Sequence, residues 1–185
     1  MDLWVGLLIG LAFVVLVLWY LSWTAARLDR LHARVEGARY ALDAQLLRRS
    51  TLALELATSG LLDPASGVLV AGAAHEASAA ELDERELAES NLSRALRAAL
   101  AEPEAIAAVA GNPRGAELLG ELDAAAKRVQ LARRFYNDAV QATKAVRRKR
   151  AVRYFRLAGR ASVPQSFETD DSPPAGLADR VPGAA

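Results

Sequence analysis

The two histidines are where chemistry would first be sought, because each has a carboxylate close by. His32 has Glu36 one helical turn on, and His75 is followed directly by Glu76. A His and a Glu four apart on a helix can share a metal. A structural metal site ordinarily takes four ligands, however, and the chain holds no cysteine and only these two histidines. A surface ion pair accounts for His32 and Glu36 more simply, and His75-Glu76 reads as an ordinary first-turn pair. Gly67 and Gly72 lack the spacing of a phosphate-cradling loop. The serines and threonines have no base beside them in a recognisable constellation. Asn91-Leu92-Ser93 matches the glycosylation sequon, which is inert in a cytoplasmic domain. No catalytic residue, metal site or cofactor is expected, and the chain is read as not an enzyme.

Charge is the more informative chemistry. The net charge of +1 hides a strong asymmetry: residues 76–104 carry eight acids against three arginines, and residues 133–160 carry ten bases against one acid, Asp138. The dense part of the basic run is Lys144, Arg147, Arg148, Lys149, Arg150, Arg153, Arg156 and Arg160, with Tyr154 and Phe155 inside it. Such a run can attract acidic lipids, contact an acidic protein partner or the chain's own acidic helix, or serve as a solvated helix end that complements the dipole. The bases follow no recognised nucleic-acid motif, so nucleic acid is not an expected partner.

Residues 3–23, LWVGLLIGLAFVVLVLWYLSW, hold no charge, and Trp4, Trp19, Tyr20 and Trp23 stand towards the two ends. At about 1.5 Å per residue the run spans about 31 Å, the thickness of a bilayer's hydrocarbon layer. A buried core helix seldom needs so long an uncharged run. A cleavable signal peptide would carry a basic start, where this chain has only Asp2. Residues 1–24 are therefore read as a single transmembrane anchor. Arg27, Arg30, Arg34 and Arg39 follow it closely, which by the positive-inside rule places the N-terminus outside the cell membrane and the rest of the chain in the cytoplasm.

Beyond the anchor the pattern is helical, with no strand alternation. Alanine, about a fifth of the chain, favours slim, closely packed helices over a core with a roomy pocket. The first helix is expected to run to about Thr58, its seam reading Leu28, Leu31, Val35, Ala38, Leu42, Gln45, Arg49, Leu52, Leu56. A short glycine-interrupted piece over 65–74 follows, capped by Asp63-Pro64. A second long helix is expected over 76–101, with Leu82, Leu92, Leu96 and Leu100 in its core. The last long helix carries the heptad seam Leu118, Leu122, Ala125, Val129, Ala132, Tyr136, Ala139, Thr143, Val146 and is expected to end near Gly159. Residues 25–160 thus read as an all-α, antiparallel bundle of three or four long helices, and residues 161–185 as a mostly disordered tail. Three long helices would leave the basic run far from the membrane. A chain that turned back near Lys149 would bring it close.

Gln45 and Arg49 are out of place on an apolar seam. With Arg48, and with Tyr136, Asn137 and Asp138 at about the same height on the last helix, they suggest a polar layer that fixes register at some cost in stability. Arg49 reaching solvent along its aliphatic stem is the simpler alternative.

Four stretches, DAQLLRRS (43–50), HE (75–76), ESNLSRAL (89–96) and ARRFYNDAV (132–140), occur in this order behind a single N-terminal span. Together they resemble the LemA family over roughly residues 28–168. ARRFYNDAV is the most specific of them, and the closing YFRLAGRASVPQSFE is similar to that family's end. After YNDAV, where family members usually place a second Tyr-Asn pair and a Phe-Pro, this chain reads QATKAVRRKRAVRYF. The resemblance implies a membrane-anchored, antiparallel helical bundle facing the cytoplasm, and no agreed catalytic activity. The expectation is a membrane-tethered interaction or scaffold protein that docks a protein partner or its own copies. The alternative is a binder of anionic lipid or an acidic partner through residues 144–160.

Overall fold

The structure, a computed structural model, describes residues 2–81, 84–155, 159 and 162–174. Nothing in the first stretch of chain interrupts a helix. Proline is absent until position 64, and Gly6, Gly10 and Gly37 are isolated. α1 accordingly runs unbroken over Asp2–Thr58. It stops where Gly60 takes φ 75°, a left-handed conformation that costs glycine little. Asp63 then caps α2 (Pro64–Ala79), its Oδ1 accepting from the Ala65 and Ser66 amides at 3.1 Å each. Hydrogen bonds from Ser66 hold the Asp63 carboxyl below its usual value.

Here the structure departs from the sequence reading. The piece expected over 65–74 is one continuous helix to Ala79, and the long helix expected over 76–101 is α3 alone, Arg85–Ala99. The chain leaves α2 at Ala80, which is extended at φ −61°, ψ 134°. A helix continued through this stretch would set Glu81 against Glu84 and Asp83 against Glu86 at three-residue spacing, which is repulsive. Leu82, expected in the core, lies outside the described residues. α4 (Pro103–Ala110) and α5 (Pro113–Arg147) each begin with proline, and the Asn112 Oδ1 caps α5 by accepting from the Arg114 amide at 2.9 Å. The last long helix ends at Arg147. A short α6 (Arg150–Tyr154) follows, and Gly159 is left-handed at φ 57°.

The chain divides into two compact units. The first comprises residues 1–39 and 136–166. Its packed part is thin: Leu28 with Val146, Val152 and Leu31, and Val35 with Ala139, Val140, Ala38 and Tyr136. Its N-terminal stretch is the one helical run among the described residues long and apolar enough to cross a membrane. The most apolar window there has a mean hydropathy of 2.5 and is 0% buried within the chain.

The second unit comprises residues 40–135 and 167–185. It has a broad core in which Leu52 and Leu56 of α1, Val70 and Ala74 of α2, Leu92 and Leu96 of α3, Ile106 and Val109 of α4, and Leu118 and Leu122 of α5 form one cluster. Small residues let these helices close up: a Cβ on Gly67 would lie 3.2 Å from the Ala57 carbonyl oxygen, and one on Gly115 would collide with that of Val109.

Candidate functional site

In the second unit the polar residues of the α1 seam are buried and bonded. Arg49 is 2% exposed and Glu89 of α3 is fully enclosed. The guanidinium donates to the Glu89 Oε2 at 2.6 Å and to the Glu89 carbonyl at 3.2 Å, and its other arm donates to the Ser93 Oγ at 3.1 Å. The Ser93 hydroxyl in turn donates to the Glu89 carbonyl. Burial raises the Glu89 carboxyl above its usual value, while the Arg49 charge and hydrogen bond pull the other way. Arg49 therefore does not reach solvent. Its bonding partners lie on α3, whereas the sequence reading placed Tyr136, Asn137 or Asp138 beside it.

The neighbouring residues of that reading divide between the units. Arg48 forms an exposed ion pair with Glu121 of α5 at 3.3 Å, and Gln45 is half-buried, its Oε1 bonded to nothing among the described residues. Tyr136, Asn137 and Asp138 belong to the first unit. There the Tyr136 hydroxyl donates to the Gln165 carbonyl at 2.8 Å, Asn137 is half-buried and Asp138 exposed.

Over the Arg49–Glu89 pair runs a segment that composition reads as mostly disordered. Residues 167–174 form neither helix nor strand and are hydrogen-bonded to α3 and α5. The Glu168 amide donates to the Glu86 Oε1 and the Asp170 amide to the Ser90 Oγ, at 2.9 and 3.1 Å. Arg97 grips Asp170 with two bonds, 2.5 and 3.1 Å, and donates to the Ser172 carbonyl. Arg133 holds both oxygens of Asp171, at 2.8 and 3.2 Å, and Gln130 donates to the Asp171 carbonyl. These bonds keep the Asp170 carboxyl down at about 2, with Arg97 as the first cause and Ser172 the next. Pro174 is buried. Beneath the strap, Arg49, Ser93, Asp123 and residues 171–174 enclose a space of about 20 Å³, large enough for one water molecule. The Arg49 Nε and the Asp123 Oδ1, which make no hydrogen bond among the described residues, both belong to residues that border it.

In the first unit the basic run forms a corner. α5 ends at Arg147, the Lys149 amide donates back to the Val146 carbonyl, and α6 starts at Arg150. Lys144, Arg147, Arg148 and Arg153, with Val163, line one open cleft, and Arg150 and Arg153 line another with Tyr154. The Arg147 Nη1 donates to the Ser162 carbonyl at 3.1 Å and lies 3.4 Å from the His32 Nε2, so His32 faces a cation as well as having Glu36 one turn away. Lys149 is exposed. Arg156 and Arg160 lie outside the described residues. Among the described residues, no group of three or more His, Cys, Asp or Glu is placed to hold a metal ion.

No family model, curated protein or solved structure matches this chain.

Sequence reasoning missed Glu89, Ser93 and the strap. The first two could have been found, since Glu89 and Ser93 are four apart and adjoin Leu92 and Leu96 in ESNLSRAL. A carboxylate and a hydroxyl on an apolar face require a buried donor, and Arg49 is an unplaced donor on another seam.

Proposed function

We propose that this protein is a membrane-tethered, non-enzymatic docking protein of the kind the LemA resemblance implies. In this reading residues 3–23 lie in the bilayer and the remainder stands in the cytoplasm as an antiparallel helical bundle. The order of contacts along α1 and α5 supports the antiparallel arrangement within each unit. Leu28 packs on Val146 and Val35 on Ala139 in the first unit. Arg48 meets Glu121 and Glu55 meets Arg114 in the second. That no residue of the apolar window is buried within the chain supports the anchor, because a water-facing surface of Trp4, Leu7, Leu8, Ile9, Leu11 and Phe13 would be very costly.

The observation that carries the docking function is the strap. The face formed by α3 and α5 holds an acidic segment through two arginine–carboxylate forks, a bond from Gln130 to the Asp171 carbonyl, and a bond that the Ser90 Oγ accepts from the Asp170 amide. A partner that presents an extended acidic stretch, or the same stretch from another copy of the chain, would meet the same donors. Crosslinking of the full chain in intact membranes, followed by mild detergent extraction, tests this. The expected result is a specific partner or self-adduct that weakens when Arg97 and Arg133 are both changed to Glu. Recovery of monomer alone would overturn it.

A further inference from the structure

We propose that the corner formed by the end of α5 and α6 is a binding site for anionic phospholipid headgroups of the bilayer that holds residues 3–23. The inference rests on the anchor reading above. Its first support is position. Val146 and Val152, which bracket the corner, are buried against Leu28. Leu28 lies only five residues beyond Trp23, the end of the uncharged run. At about 1.5 Å per residue that is about 7 to 8 Å along α1, within the headgroup layer and within about one Debye length of the hydrocarbon boundary. The basic run is thus held beside the membrane exit by its own apolar contacts.

The second support is the shape of the site. Lys144, Arg147, Arg148 and Arg153 converge on an open cleft of about 480 Å³ that, among the described residues, no acidic side chain lines. Arg147 is oriented there by its bond to the Ser162 carbonyl. Guanidinium groups can hold phosphate oxygens in pairs, and a lysine beside them adds a mobile charge. The third support is what surrounds the cations. Tyr154 is 83% exposed, Phe155 48% and Val163 56%, and the two rings meet edge to face at 5.1 Å. Aromatic side chains on the water-facing surface of a charged corner are wasteful in solvent. At a lipid interface they have a use, with rings among the acyl ends and cations among the phosphates. The same pairing recurs at the membrane exit, where the Arg27 guanidinium lies 5.8 Å from the centre of the Trp23 ring.

The chain has no cysteine, so one introduced residue can carry a label without competition. In the test, the full chain with Tyr154→Cys and a polarity-sensitive dye is placed in nanodiscs of phosphatidylcholine alone or with added phosphatidylglycerol. The expected result is a blue shift that grows with the anionic lipid fraction and is reversed by high salt. Each cation near an anionic surface contributes about fivefold in binding. Changing both Arg148 and Arg153 to Ala should therefore weaken the response about 25-fold, and Arg148→Glu with Arg153→Glu should abolish it. Both arginines are exposed, so neither pair disturbs the packed residues. Identical spectra in neutral and anionic discs that both hold the chain would overturn the lipid site and leave the anchor standing. Failure to enter either kind of disc would overturn the anchor, and the site with it. An equal shift in neutral discs on adding a short RNA would reassign the cleft to nucleic-acid phosphate.

Discussion

The two units solve the problem of polar groups near apolar surfaces in opposite ways. The second unit encloses a charged pair, Arg49 and Glu89, inside a broad core and covers it with a strap whose two aspartates each meet an arginine. The first unit has small apolar clusters, leaves Arg148, Lys149, Arg150 and Arg153 on the surface and keeps the Tyr154 and Phe155 rings exposed. Burial without a partner is costly, so the second unit had to specify both members of each pair. Charges left at the surface need no internal partner and remain available to something outside the chain.

The sharpest way to break this contrast is at Glu89. Changing Glu89 to Ala should cost about 3 to 5 kcal/mol, because a guanidinium cannot shed its charge and is left stranded. Changing Arg49 to Met should cost less, since the Glu89 carboxyl, already raised by burial, can take up a proton and become neutral. Replacing both, Arg49→Met with Glu89→Leu, should fall between neutral and about 4 kcal/mol more stable. Denaturant titration followed by circular dichroism gives all three values.

A smaller effect is expected in the first unit. Leu28→Ala should cost about 2 kcal/mol, the low end of such truncations, because its cluster is small and can partly collapse. Hydrogen exchange should show faster opening of residues 136–155 with no change in residues 85–135. Equal acceleration in both would mean that the division into units has no energetic counterpart.

Least in size is a pH effect of two opposite signs within the second unit. Asp170 sits at about 2, below its unfolded value, so its contribution is complete above about pH 4 and is lost as pH falls through 2. Glu89 is raised, so its contribution is complete below its unfolded value and is lost as pH rises through the raised one. Mild acid should therefore first relieve Glu89 and only later release the strap. Nuclear magnetic resonance of the Asp170 amide against pH checks this, and Asp170→Asn should remove the lower step.

Much of the fold could be read from residue order alone. The seam positions Leu28, Val35, Leu42, Leu52 and Leu56 are buried, as are Leu118, Leu122, Val129 and Ala139 of α5, because a 3–4 spacing defines a face whatever lies opposite. That same spacing says nothing of who lies opposite, and so Arg49 was placed on the right face with another partner in mind. The break between α2 and α3, expected near 75, falls at 80–84, because the glycines of α2 do not stop it and the repulsion among the acidic residues after Ala80 acts on the segment as a whole. The strap was missed for a plainer reason. Asp170 and Asp171 look like solvated tail residues until Arg97 and Arg133, which lie on different helices, are brought beside them.

The strap also has a consequence in time. Residues 167–174 come later in the chain than every group that receives them, from Glu86 on α3 to Arg133 on α5. On the ribosome those receiving groups emerge first, and their arginines meet the cell before their own aspartates exist. A newborn chain therefore passes through a stage in which this face is uncovered and any acidic neighbour can visit it. Closure comes as a late event of biogenesis.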